Sequence, residues 1–229
     1  MCDMGNAVYN SSAEFSDMDT LCLQPKANCV GLLGGTFNPV HNGHISMARI
    51  ALDEFLLGEV VFIPAGNPPH KRNEAIVSAE HRINMLELAI RDENRFSVDT
   101  LEIHREGLTY TVDTLEALCR THPNTEYHYI IGADTLYELP SWRNFERVIA
   151  LTRFICVLRP GITDEGAHLF AESLNQKYGP RIVIAREKGL DISSSLIRRL
   201  LSDHRSVHGC IPQVVSDYIR LNHLYLQEA

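Results

Sequence analysis

Two histidines set three residues apart, His41 and His44, sit inside the string Gly34-Gly35-Thr36-Phe37-Asn38-Pro39-Val40-His41-Asn42-Gly43-His44. At a helix entry, side chains at that spacing converge on one point. Two imidazoles facing a phosphate can donate hydrogen bonds to charge that builds there. A helix start adds unpaired N–H groups and a positive dipole end. The glycines are expected to let the backbone approach a ligand closely. A bare H-x-x-H also suits zinc, but no Cys or acidic partner stands nearby at ligand spacing. The glycine spacing fits neither the dinucleotide G-x-G-x-x-G nor a P-loop, since no Gly-Lys-Ser/Thr follows.

Far along the chain lies a second candidate, Asp191-Ile192-Ser193-Ser194-Ser195-Leu196-Ile197-Arg198-Arg199. Serines suit a helix start, and Arg198 lies one turn after Ser194, so it can point the same way. A capped helix with an exposed Arg explains these residues equally well, and Arg199 is expected at the surface. Between the two strings, Ala65-Gly66-Asn67-Pro68-Pro69-His70-Lys71-Arg72 offers Lys71 to a phosphate or carboxylate; a rigid loop with solvated charges is the plainer account. Gly132-Ala133-Asp134 ends a β-prone run with a carboxylate that can hold ribose hydroxyls or cap a helix. Trp142, the single tryptophan, is either core or a stacking surface worth about 1 kcal/mol beyond its burial.

The elements that must carry these groups follow from apolar spacing. Cys29–Leu33 reads as a buried strand and 43–57 as a helix, with Ile45, Ala48, Leu52 and Phe55 on one face and Gly58 as its stop. Glu59–Pro64 is the next strand, which completes a βαβ unit with parallel strands. A helix over about 79–92 opens on Ser78, buries Ile83, Leu86 and Ile90, and carries Arg82 most simply as an exposed residue. Phe96–Val98 and Leu101–Ile103 are short strand candidates. Thr111 is expected to cap a helix that buries Val112, Leu115 and Cys119. Strands at Tyr127–Ile131, Arg153–Leu158 and Arg181–Ile184 follow, the last at an edge, with a helix over about 164–177 before it. A final helix opens at Ile211-Pro212-Gln213, with Val214, Tyr218, Leu221 and Tyr225 on its buried face. The predicted fold is a single Rossmann-like α/β domain over 28–229, mainly a parallel sheet with helices on both faces. Residues 1–27, polar and without period, read as a poorly ordered extension.

The chain of 229 residues carries a formal net charge of −8 and is 45% hydrophobic. That excludes the basic face of a duplex nucleic-acid binder but not a small anionic ligand. Six cysteines without a C-x-x-C pair point to reduced thiols and a cytoplasmic protein. No apolar run is long enough to span a bilayer, and there is no secretory signal.

The first string resembles the GGTF(D/N)PxHxGH form of the nucleotidyltransferase signature found in nicotinate mononucleotide adenylyltransferases, and 64–71, 109–114, 132–142 and 192–198 resemble further segments of that family in order. The departures are Asn38, where many members have Asp, and Ser195, where the family usually has Thr. The resemblance implies adenylyl transfer from ATP to nicotinate mononucleotide, with Mg²⁺ held mainly through ATP phosphates and no dedicated protein metal ligands. It implies ATP contacts at Gly34, Gly35, Thr36, Phe37, His41, His44, Gly132, Asp134, Ile192, Ser193, Ser194 and Arg198. It implies mononucleotide contacts at Phe37, Asn38, Lys71, Thr109 and Trp142, with Thr109 meeting the pyridine carboxylate through its amide and hydroxyl. His41, His44 and Arg198 would be catalytic. Nicotinamide mononucleotide and phosphopantetheine are alternative acceptors, a non-catalytic nucleotide-binding regulator is the alternative class, and the oligomeric state, homo-oligomer included, stays open.

Overall fold

The computed structural model describes residues 28–67, 76–161 and 164–226. Residues 1–27, and the Pro68-Pro69-His70-Lys71-Arg72 segment with Lys71, lie outside these. Six strands form one sheet: β1 (Cys29–Gly35), β2 (Glu59–Pro64), β3 (Phe96–Val98), β4 (Glu126–Gly132), β5 (Arg153–Val157) and β6 (Ile182–Ile184). Their order is β3-β2-β1-β4-β5-β6, and every neighbouring pair is parallel. The order reverses between β1 and β4. In such sheets a crevice opens there, beyond the carboxyl ends of the strands.

Alternation along the strands builds two cores. In β5, Ile155 and Val157 face one side while Phe154 and Cys156 face the other. The first side is covered by α1 (Asn42–Glu54), α2 (Ala79–Ile90), α7 (Ser194–Ser202) and α8 (Gln213–Leu221); the second by α3 (Thr111–Thr121), α4 (Ala133–Glu138), α5 (Phe145–Leu151) and α6 (Asp164–Tyr178). Both faces of a parallel sheet are thus buried, which is why its strands read as near-continuous apolar runs.

Several local expectations shift. Helix α1 ends at Glu54 with Phe55 as its C-cap, and the left-handed residue behind it is Leu56 (φ 49°), not Gly58, whose amide instead donates to Cys29 O. Residues 101–103 form a turn rather than a strand, pinned by the Asp99 carboxylate accepting from the Leu101 amide (2.8 Å). Tyr110, not Thr111, precedes the first helical residue of α3, and the Thr111 hydroxyl turns to the Tyr129 phenol instead. Leu221 is 72% exposed because α8 stops there, while Tyr225 returns to the core through a turn with φ 63°.

Candidate active site

β1 delivers Gly34 and Gly35 to the sheet edge, and the following loop leads into α1. Phe37 adopts φ 50° and buries its ring completely, against His44 (centroids 5.0 Å) and Phe62 (5.9 Å). The Cβ positions of Gly34 and Gly35 are filled by protein: the Tyr129 hydroxyl at Gly34 and the Phe37 ring at Gly35, at 3.1 Å. The missing side chains of these glycines therefore make room for side chains of the core. At Gly132 the equivalent space is open, so β4 is where backbone lies bare to the crevice.

His41 is the N-cap of α1. Its Nδ1 accepts from the His44 amide (3.3 Å), and His44 Nδ1 accepts from the His41 amide (3.2 Å). The pair is a capping box made of imidazoles. Their rings stack at 3.6 Å with 23° between planes. Because each Nδ1 is an acceptor, each neutral ring carries its proton on Nε2. His41 is 4% exposed, and burial, with the nearby Arg159 charge second, pushes its pKa down to about 3. The histidine pair therefore presents neutral Nε2–H donors of fixed tautomer.

The second string docks on the first. Ser193 caps α7 by accepting from the Leu196 amide (3.2 Å). Ser194 Oγ donates to Pro39 O (2.9 Å), and Arg198 donates to Asn38 O (2.9 Å) and to Ser195 Oγ (3.3 Å). The starts of α1 and α7, more than 150 residues apart in sequence, thus face one place, and Ile192 O lies 3.3 Å from the Cβ position of Gly43. Arg199 is exposed, as expected.

Other candidates fall where their partners put them. Asn38 is 1% exposed, and its Oδ1 accepts from Tyr225 Oη (2.9 Å) and the Val77 amide (3.3 Å), so it holds the loop together from inside. Thr36 is half-buried, with its carbonyl engaged by Arg82 (2.9 Å). Asp134 is exposed in the first turn of α4, with Gly132 rather than Asp134 as the cap. Trp142 is half-buried, its ring edge-on to Tyr129 (5.7 Å) and Phe154 (6.2 Å). The Thr109 amide is taken by Asn67 O (3.2 Å); its hydroxyl, 94% buried by the residue's exposure of 6%, lies near the Glu102 carboxyl without completing a hydrogen bond among the described residues. Burial raises the Glu102 pKa, against the hydrogen bond donated by Thr114 (2.7 Å).

Three residues escaped the sequence reading. Arg82 is 3% exposed, not a surface arginine, and donates to Thr36 O and Ala65 O (2.8 Å), tying the ends of β1 and β2 together; burial lowers its pKa. Its signal was position: it falls on the same α2 stripe as Met85 and Leu86. Arg159 follows β5 at the same sheet edge, which its place after a buried run could have disclosed. Tyr225 had a signal only as an apolar residue, and nothing in its surroundings pointed to Asn38.

A sequence profile of the cytidylyltransferase-like family matches residues 32–200. Two relatives, both curated under the name probable nicotinate-nucleotide adenylyltransferase, are those of Clostridium acetobutylicum, 36% identical over 85% of this chain and 98% of its own, and Synechococcus sp. (strain JA-3-3Ab), 40% identical over 88% and 97%. Among solved structures, the Plasmodium falciparum nicotinic acid mononucleotide adenylyltransferase complexed with NaAD has a similar fold, with TM-score 0.70 at 22% identity over 86% of this chain and 97% of that one. The matched residues include the starts of both α1 and α7, and the chain belongs to the nicotinate-nucleotide adenylyltransferase family.

Proposed function

We propose that this protein transfers the adenylyl group of ATP to nicotinate mononucleotide, releasing pyrophosphate and forming deamido-NAD. The observation that carries the reading is the stacked pair His41 and His44, locked by reciprocal backbone bonds so that both rings offer Nε2–H, beside an α7 start that brings Arg198 to the same loop. A 5′-phosphate oxygen of the mononucleotide attacks the α-phosphorus of ATP. The new P–O bond forms as the bond to the β-phosphate oxygen breaks, and negative charge moves onto the leaving pyrophosphate. No protein nucleophile is required; positioning and charge stabilisation suffice.

In this reading His41 and His44 donate to α- and β-phosphate oxygens, and Arg198 and the α7 start hold the leaving phosphates. Gly132 and Asp134 serve the ATP ribose, where the backbone is open. Thr109 offers its hydroxyl to the pyridine carboxylate; its amide is already engaged, so that contact falls to the hydroxyl alone. Phe37 and Asn38 contribute through backbone, their side chains being buried. Trp142 and Lys71 complete the mononucleotide site. Mg²⁺, when bound, neutralises charge on the phosphate oxygens. Among the described residues no helix is long and apolar enough to cross a membrane. The cytoplasmic setting is part of the proposal and follows from the cysteine pattern, six thiols with no C-x-x-C pair.

The test is pyrophosphate release with ATP and Mg²⁺, run in parallel with nicotinate mononucleotide, nicotinamide mononucleotide and phosphopantetheine. Release is expected to be strongest with the nicotinate form. Release with phosphopantetheine alone, or ATP binding with no release from any acceptor, would overturn the reading.

A further inference from the structure

At the edge of the sheet opposite the histidines, three side chains of metal-ligating type meet. Cys29 opens β1, and Glu126 and His128 open β4. Parallel pairing sets Cys29 directly beside Glu126. His128, two residues further along β4, projects from the same face as Glu126. Its partner across β1 is Gly31, which has no side chain to crowd the imidazole. The sulfur, a carboxylate oxygen and an imidazole nitrogen all lie within 4.8 Å of one another, the one such group among the described residues. Cys29 and His128 are buried, at 3% and 4% exposure, whereas Glu126 reaches the surface. A cleft of about 400 Å³, lined by Thr125, Glu126, Thr152, Arg153 and Arg181 among others, opens at Glu126.

We propose that Cys29, Glu126 and His128 bind a divalent transition-metal ion, zinc foremost, with water in the fourth position. A thiolate, an imidazole and a carboxylate are the zinc donor set, and the soft sulfur and nitrogen exclude Mg²⁺ and Ca²⁺, which take oxygen. Around a tetrahedral zinc at about 2.0–2.3 Å, ligand atoms stand roughly 3.3–3.8 Å apart, so the cluster closes on an ion by small side-chain rotations. Thiolate and carboxylate together match the charge of a divalent ion. The contacts from His128 Nε2 (3.5 Å) and Arg153 Nε (3.3 Å) both fall on Glu126 Oε1 and hold the carboxylate over the cluster; the ion replaces the first of them. The cleft at Glu126 supplies the entry path that a buried site needs. Bound there, the ion clamps β1 to β4, the two strands that flank the crevice, from the end away from the chemistry. It is a separate site from any Mg²⁺ that accompanies ATP.

The experiment is a cobalt titration of the full chain after chelator treatment and dialysis. One equivalent of Co²⁺ is expected to produce a thiolate-to-cobalt charge-transfer band, which Zn²⁺ removes and Mg²⁺ does not. Cys29→Ser should lose the band while Cys119→Ser keeps it. Glu126→Gln, at a half-exposed position that leaves the fold intact, and His128→Gln should each weaken cobalt binding at least about 10–100-fold, the cost known for disturbing even an outer partner. No band in the parent protein, a band of undiminished strength in Cys29→Ser, or unweakened binding in Glu126→Gln would overturn the proposal. None of these readouts uses turnover, so the result is independent of the proposed reaction.

Discussion

His41 does two jobs that one substitution can separate. Its Nδ1 caps α1 by accepting from the His44 amide, and the tautomer that this fixes leaves Nε2–H as a donor. Asn is among the best N-caps and carries an oxygen where the capping acceptor is needed, but nothing that reaches as far as Nε2. His41→Asn therefore keeps the cap and removes the donor, whereas His41→Ala removes both. Losing a cap costs about 0.5–2 kcal/mol. Replacing the buried ring by a smaller side chain adds roughly 1 kcal/mol of lost packing in either variant, more in Ala. The expected loss of stability is about 1 kcal/mol for His41→Asn and about 2–3 kcal/mol for His41→Ala. Removing one preorganised donor costs about 10²–10³ in turnover, or about 2.7–4 kcal/mol. Both variants should therefore fall together in kcat/KM for pyrophosphate release, while their urea midpoints separate. If His41→Asn stays within about tenfold of the parent rate, the donor assignment is wrong. If it unfolds at the same urea concentration as His41→Ala, the capping assignment is wrong.

Arg82→Met leaves Thr36 O and Ala65 O without their donor, at about 1–3 kcal/mol each, partly offset by no longer burying a charge; a net loss of about 2–3 kcal/mol in urea unfolding is expected, and an unchanged midpoint would refute the tie. Gly34→Ala drives a Cβ into the Tyr129 hydroxyl and should cost about 1–3 kcal/mol, with Tyr129→Phe in the same chain restoring part of it; a fully stable Gly34→Ala would show that the strand yields. His41 titrates at about 3 when folded and at the ordinary 6.5 when unfolded, so between these values the unfolded chain takes up a proton that the folded chain refuses. Its contribution to stability is whole above pH 6.5 and falls as the pH drops towards 3, by at most about 1.4 kcal/mol per pH unit. Urea midpoints measured down this range should fall less in His41→Asn than in the parent, and equal falls would contradict the buried neutral ring.

The parts legible in sequence were those whose physics is local or periodic. Buried strands at β1, β2, β4 and β5 announce themselves as apolar runs, and Ser78 and Ser193 announce helix starts by residue type. The histidine string is dense enough to mark the turn from β1 into α1 on its own. What stayed hidden depends on partners far away in sequence. Arg82 has no carboxylate to betray it, because its partners are two backbone carbonyls on other loops. Nothing in a string discloses that Tyr129, almost a hundred residues on, fills the space beside Gly34. The α8 stripe misled at Leu221 because periodicity cannot say where a helix stops. Asn38 looked like a binding residue by its place in the motif, yet its side chain points inward to Tyr225.

That last contact bears on the order in which the polypeptide is made. The loop holding Asn38 leaves the ribosome early, along with His41 and His44. Its second brace, Arg198, comes far later, and the Tyr225 hydroxyl later still. A nascent chain can therefore expose β1, α1 and β2 before the loop at Asn38 has either of these partners. Only after Tyr225 has been released does the loop acquire its full set of supports.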